Sequence, residues 1–351
     1  MEKNVRSAVE ELSKYGLSHR PHIKAHKSIE LALLQQKLGC KGITCAKLRE
    51  AEVMASGGLK DMLIAFPIIG PGKLKRLKQL LDKGVSVTTI VNSTEGAAGL
   101  SSLGEEMGKP VRVLIEMDGH IGRGGVRSGS EFEDFVCQIK NFKGIRICGV
   151  ECYGGDIYDL KDEKLIRERA RKERDEILVC SEVLRRNGLE DEIKSGGSSF
   201  SLLYPEELEG ITEVRAGNYI FNDNALFSIG LRKETEIGLF VYATVVAKVS
   251  EDVYIIDAGS KVLTSDQVHL HEGFGTLPLY PKAEIIKLNE EHGFVRCSEL
   301  HIGEVVKIIP NHACVIPNLF EEIPSVRNGK FDHYVKIDAH GRNEAFIELP
   351  R

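Results

Sequence analysis

VRVLIEMDGHIGRGGVRSGSEFEDFVCQIKNFKGIRICGVECYGG (111–155) is the stretch that decides the fold. It opens on a short apolar, β-branched run, VRVLIEMD (111–118), of strand length. A glycine-rich turn follows, then SGSEFEDFVCQIKNF (128–142), whose apolar residues recur at three and four as on one face of a helix. IRICGVECYGG (145–155) is a second strand-like run. A helix between two such runs is the crossover that a parallel pair of strands needs.

The same alternation extends in both directions. Strand-like runs precede the segment at RPHIKAH (20–26), GITCA (42–46), DMLIAFP (61–67) and VSVTTIV (85–91), and come after it at EIKSGG (192–197) and TEVRAGNY (212–219). Between them lie helix-like stretches such as SIELALLQQKLG, KLREAEVMASGG, GKLKRLKQLLDKG and the long charged KDEKLIRERARKERDEILVCSEVLRRNG. PEELEGI, before the last strand, is the weakest of the helices. Eight strand–helix units predict an α/β fold, a (β/α)₈ TIM barrel, with a doubly wound open sheet as the alternative. From about residue 231 the pattern changes to short strands and turns. The chain therefore divides into a barrel over 1–230 and a C-terminal β domain over 231–351.

Composition excludes several classes. The 351 residues are 42% apolar and 28% charged, which suits a packed core rather than disorder. A net charge of −5 argues against nucleic acid or an anionic membrane as the main partner. No apolar run approaches the roughly 20 residues of a membrane helix. The N-terminus lacks the apolar stretch of a signal peptide, and the eight cysteines form no CxxC. A cytoplasmic location with reduced thiols is expected.

In such a barrel chemistry collects where the strands end. Lys24 lies in the first strand-like run, flanked by Ile23 and Ala25, where a desolvated amine is a candidate for a Schiff base; a lysine merely reaching solvent is the plain alternative. Ser195-Gly-Gly-Ser198 and Gly217-Asn218-Tyr219 end successive strands. Their glycines let backbone N–H groups approach an anion, and loops after strands seven and eight are the usual phosphate site. His312 and Cys314 stand two apart in PNHACVIPN, a spacing that places both on one side of an extended segment and suits zinc with open coordination positions. A half-buried histidine beside a core cysteine is the competing reading. His292, in EEHG, is either a neighbour of that pair or a turn cap.

Taken together, RPHIKAHK, DGHIGRGGV, GGDIY, SGGSS, EVRAGNYIFND, IDAGSKVLTSD, EEHG and PNHAC resemble the D-threonine aldolase and D-serine dehydratase family, within the alanine-racemase-like (fold type III) pyridoxal-phosphate enzymes. The resemblance implies a barrel plus a β domain in a homodimer. It implies that Lys24 holds pyridoxal 5'-phosphate and that Arg123 bonds its phenolic oxygen. Tyr158, Ser198 and the backbone of Gly217 and Asn218 match positions around the phosphate. Arg215 stands where alanine racemases set an arginine against the pyridine nitrogen, a position that varies in this branch. His312 and Cys314 match a divalent-metal pair, for zinc or manganese. A cysteine in the second metal position suggests dehydratases, an aspartate aldolases. The implied function is a lyase of small D-3-hydroxy amino acids, first D-serine dehydration to pyruvate and ammonia, then D-threonine retro-aldol cleavage, and last an amino-acid racemase. One departure stands out: family members begin with a Thr-Pro strand that joins the β domain. This chain opens at Met1 already in a helix, which points to a start codon upstream or a shortened copy.

Overall fold

The structure is a computed structural model that describes residues 1–189, 192–268 and 271–343. Eight parallel strands form one sheet: β1 (Ser18–His19), β2 (Ile43–Cys45), β3 (Asp61–Ile64), β4 (Ser86–Val91), β5 (Val111–Glu116), β6 (Ile145–Glu151), β7 (Ile193–Gly196) and β8 (Glu213–Val214). They lie in the order β1-β8-β7-β6-β5-β4-β3-β2. The two ends of that order then meet. Lys41 N donates to His19 O at 2.7 Å and Thr44 N to Pro21 O at 2.8 Å, and His22 bridges Thr44 in parallel. The open-sheet alternative is thereby excluded, and the (β/α)₈ reading holds.

Helices α1 (Glu2–Ser13), α2 (Ile29–Lys37), α3 (Leu48–Ser56), α4 (Pro71–Asp82), α5 (Thr94–Glu106), α6 (Ser130–Ile139) and α7 (Glu163–Arg186) fill the crossovers and lead into the first strand. Local chemistry starts them. Ser28, Ser93 and Asp162 sit in extended conformation and accept a hydrogen bond from the first turn of α2, α5 and α7 respectively. Pro71 occupies the first turn of α4, where its missing N–H costs nothing. PEELEGI forms only a short 3₁₀ turn, Pro205–Leu208.

The strands are short, apolar and buried, as expected where a sheet is covered by helices. Leu63, Ile90, Leu114 and Cys148 pack together from four adjacent strands. Two glycines permit helix-to-strand contact at one corner. A Cβ on Gly104 would lie 1.9 Å from Gly144 O, and one on Gly144 would lie 1.7 Å from Ser101 O.

The chain resolves into two compact units that part between Gly217 and Asn218. One is built on Arg6–Gly217 and the other on Met1–Val5 and Asn218–His340. The second unit carries a five-stranded antiparallel sheet of β9 (Val241–Lys248), β10 (Val253–Ile256), β11 (Glu284–Leu288), β12 (Gly293–Arg296) and β13 (Val305–Ile308), in the order β11-β12-β10-β9-β13. A hairpin of β14 (Glu322–Arg327) and β15 (Lys330–Lys336) comes next along the chain. No helix of the described residues is long and apolar enough to cross a membrane.

Candidate active site

Lys24 is not in a strand. The extended run continues only to His22, whose N–H donates to Ala216 O, and Ile23–Ala25 then form a 3₁₀ turn closed by Lys27 N to Ile23 O at 2.7 Å. The next helix imposes the turn. Helix α2 begins at Ile29, so the chain must reverse within six residues. Buried His26 locks the reversal: its Nδ1 accepts from Ser28 N at 3.1 Å and its Nε2 lies 3.1 Å from Gln35 Oε1. Lys27 adopts φ +52° and pairs with fully buried Glu50 at 2.7 Å.

The turn brings Lys24 to Tyr153, a residue to which the sequence motifs assign no role. Lys24 Nζ is 5.7 Å from the centroid of the Tyr153 ring, and the Arg123 guanidinium is 5.1 Å from the same centroid. Lys24 and Arg123, 99 positions apart in sequence, thus share one aromatic surface.

Beneath them runs a buried ionic layer. Arg215 pairs with Glu151 and donates to Cys152 O. Glu116, a neighbour on β5, accepts from Asn92 Nδ2 at 2.7 Å; burial, reinforced by the Glu151 charge, pushes its pKa up to about 7. Burial, reinforced by the positive charges of Lys24, Arg215, Arg123 and Lys27, holds His22 well below the usual histidine range.

Three neighbouring strands, β7, β8 and β1, end in polar atoms left over. Ser199 Oγ, Arg215 Nε and His22 Nδ1 are buried with no hydrogen-bond partner among the described residues. Each such atom left unpaired costs about 1–3 kcal/mol, so this end of the barrel has polar capacity that a ligand or water would satisfy. The turn after β7 supports this. Gly197 takes φ +78°, and Ser198 Oγ accepts from Phe200 N at 3.2 Å and Ser201 N at 3.3 Å. Tyr158 packs on Phe200 with ring centroids 4.6 Å apart, which brings Tyr158 to the Ser198 turn. Gly217 lies against β1, where an added Cβ would fall 2.6 Å from His22 O.

In the second unit, Asn218 donates through Nδ2 to Asp223 Oδ2 at 2.6 Å. The same carboxylate oxygen accepts from Ala313 N at 3.0 Å, which fixes the backbone between His312 and Cys314. That pair stands in a turn rather than an extended segment. His312 Nδ1 lies 3.1 Å from Asp266 Oδ2. Burial works against the imidazolium, but Asp266 and Cys314 outweigh it and raise His312 to about 11. Asn311 anchors the turn by donating to Asp266 O and Gly273 O. No group of three or more His, Cys, Asp or Glu side chains among the described residues is arranged to hold a metal. His292 occupies the β11–β12 turn, its carbonyl accepting from Asn289 N. Asp223 and Asp266 end two of the motifs, EVRAGNYIFND and IDAGSKVLTSD, and that is the only trace they leave in the sequence.

Residues 1–225 match the alanine racemase N-terminal domain family. The chain belongs to that family. Residues 238–326 match the serine dehydratase domain, so the resemblance read from the motifs is borne out on both halves of this alanine-racemase-like protein. Among its relatives, D-threo-3-hydroxyaspartate dehydratase of Delftia sp. is 30% identical over 90% of this chain and 88% of that one. D-threonine aldolase of Arthrobacter sp. is 28% identical over 97% and 90%. The crystal structure of D-threonine aldolase from Filomicrobium marinum superposes with a TM-score of 0.87 at 26% identity, covering 97% of this chain and 93% of that one. Alanine racemase of Clostridium difficile, at 14% identity and TM-score 0.67, shares the fold. Family membership supports pyridoxal phosphate as the cofactor.

Proposed function

We propose that this chain is a lyase of D-3-hydroxy amino acids that uses pyridoxal phosphate and a divalent metal, and that its main reaction is the dehydration of D-serine to pyruvate and ammonia. The observation that carries the dehydratase reading is the His312–Cys314 pair. Solved forms of a D-threo-3-hydroxyaspartate dehydratase include a histidine-to-alanine mutant and a metal-free cysteine-to-alanine mutant, and the two substituted residues stand two positions apart, as His312 and Cys314 do. A nitrogen and a sulfur donor suit zinc, and a carboxylate on the other ring nitrogen, as Asp266 is here, is the usual outer partner of a metal-binding histidine.

Lys24 would hold the cofactor through Nζ, and the same amine is the group placed to take the substrate's Cα proton. Arg123 would hold the phenolic oxygen, and Tyr158, Ser198 and the backbone of Gly217 and Asn218 would hold the phosphate. The cofactor supplies an electron sink for the negative charge left at Cα. A cation held by His312 and Cys314 would supply Lewis acidity toward a hydroxyl leaving group. Lys24 and Arg123 both face the Tyr153 ring.

Retro-aldol cleavage of D-threonine is the second reading, favoured by the 28% identity to an aldolase over nearly the whole chain. A homodimer, from the family, and a cytoplasmic location, supported by eight free thiols, belong to the same proposal. Incubation with D-serine and with D-threonine, each with Zn²⁺ or Mn²⁺, tests it. Keto acid from D-serine is expected. Aldehyde and glycine from D-threonine alone would replace the dehydratase reading by the aldolase one, and loss of optical rotation of D-alanine without keto acid would mark a racemase.

A further inference from the structure

Helix α7 reads as a solvated, charge-laden surface helix, yet two of its charged residues face inward. Arg169 is 8% exposed and Glu173 1%. They are four positions apart, so they stand one above the other on the face that also carries Ile166, Ala170 and Ile177. Arg169 reaches two loops. Its Nε donates to both oxygens of Asp156 at 2.7 and 2.8 Å, after β6, and its Nη2 donates to Gly119 O at 2.9 Å, after β5. Glu173 reaches two as well. One oxygen accepts from Gly154 N at 3.2 Å, after β6, and the other from Gly197 N at 2.7 Å, after β7.

Three consecutive strand-end loops are therefore tied to one helix turn. They carry Arg123, Tyr153, Tyr158 and Ser198. The fit is close: a Cβ on Gly154 would lie 2.5 Å from Arg169 Nη2 and 2.7 Å from Glu173 Oε2. Burying a carboxylate on the inner face of a helix is costly, and an apolar residue of similar volume commonly stabilises as well or better. Burial indeed pushes Glu173 up, against the pull of the Gly197 N–H, Arg169, Arg215 and the Gly154 N–H. What an apolar residue cannot do is accept two backbone N–H bonds and so set the height of two loops at once.

We infer that Glu173, with Arg169 bracing the two loops beside it, is a positioning residue that holds the Gly197–Ser198 turn in the form that receives the cofactor's phosphate. The inference rests on the pyridoxal-phosphate reading above and deepens it: the phosphate's share of cofactor affinity passes through a helix that does not itself touch the cofactor.

The test compares pyridoxal 5'-phosphate with pyridoxal, which lacks the phosphate, on the cofactor-free protein. Affinities are read from the absorbance of the bound ring, alongside a thermal melt. The wild-type chain is expected to prefer the phosphate form strongly. Glu173→Gln keeps shape and one acceptor but turns an N–H toward a backbone N–H. It should weaken pyridoxal phosphate about tenfold, roughly the worth of one hydrogen bond to a charged group, and leave pyridoxal unchanged. Glu173→Asp, which withdraws the carboxylate by one methylene, should show the same selective loss and serves if the glutamine variant does not fold. Equal loss of both ligands, or loss of neither, would overturn the positioning role. A wild-type chain that binds both equally, or neither, would instead overturn the phosphate reading on which it rests.

Discussion

Lys24 Nζ stands 5.7 Å from the centre of the Tyr153 ring, just beyond the end of β1. An aromatic face attracts an ammonium without neutralising it, at about 0.5–2 kcal/mol depending on exposure, and Arg123 draws on the same ring. Tyr153→Leu should remove both attractions. We expect cofactor affinity to fall several-fold, while Tyr153→Phe, which keeps the ring, retains it; titration of the cofactor-free variants decides. Lys24→Ala should abolish the absorbance band of the lysine-bound cofactor altogether.

Glu116 predicts a pH dependence of stability in the cofactor-free protein. Its pKa is raised in the fold to about 7, first by burial and then by Glu151, from an ordinary 4.5. A folded acid that holds its proton more tightly than the unfolded chain makes the fold lose stability as pH rises between those two values, with no further change above the upper one. Glu116→Gln keeps the acceptor for Asn92 Nδ2 and cannot ionise. Its melting temperature relative to wild type should rise from pH 4.5 to 7 and then level off. A flat difference across that range would show that Glu116 stays charged in the fold.

The barrel has a seam where β1 meets β2, and Arg20 spans it. Its Nε donates to Glu213 at 2.8 Å on β8, and its Nη1 and Nη2 donate to Asp61 at 2.9 and 3.2 Å on β3. Glu213 is 3% exposed and also accepts from Ser195 Oγ at 2.9 Å. Removing one member of a buried pair strands the other charge, at about 3–5 kcal/mol. Arg20→Met should lower stability by that order in urea denaturation, and Arg20→Met with Glu213→Gln should recover part of the loss.

His312→Ala with Cys314→Ala should leave cofactor binding intact and remove keto-acid release that responds to added Zn²⁺ or Mn²⁺. Full activity in that variant would remove the metal from the reading. Asp266→Asn should weaken the metal response by about 10–100-fold, the usual worth of an outer partner, with the cofactor absorbance unchanged.

Much of the frame was legible in advance. All eight barrel strands fall inside or beside apolar runs of the chain, because short β-branched segments between glycine-bounded amphipathic helices carry a local signal. The alternation also located the strand ends near Ser198 and Gly217. Where local signals misled, a longer-range demand prevailed. RPHIKAH looks extended throughout, but the pairing of β1 with its neighbours stops at His22, and the start of α2 bends Lys24 into a turn. PNHAC alternates like a strand, but Asn311 and Asp223 draw it into a turn.

The chain by itself determined the number and order of strands and the kinds of side chain that end them, since these follow from propensity and hydrophobic period. Only the tertiary structure decided which polar groups came together. In a helix as charged as α7, nothing in the sequence separates Arg169 and Glu173 from their solvated neighbours. Packing of α7 on β6 and β7 turns that pair inward, and once water is gone each charge must find its partners among loops that lie up to 50 positions away.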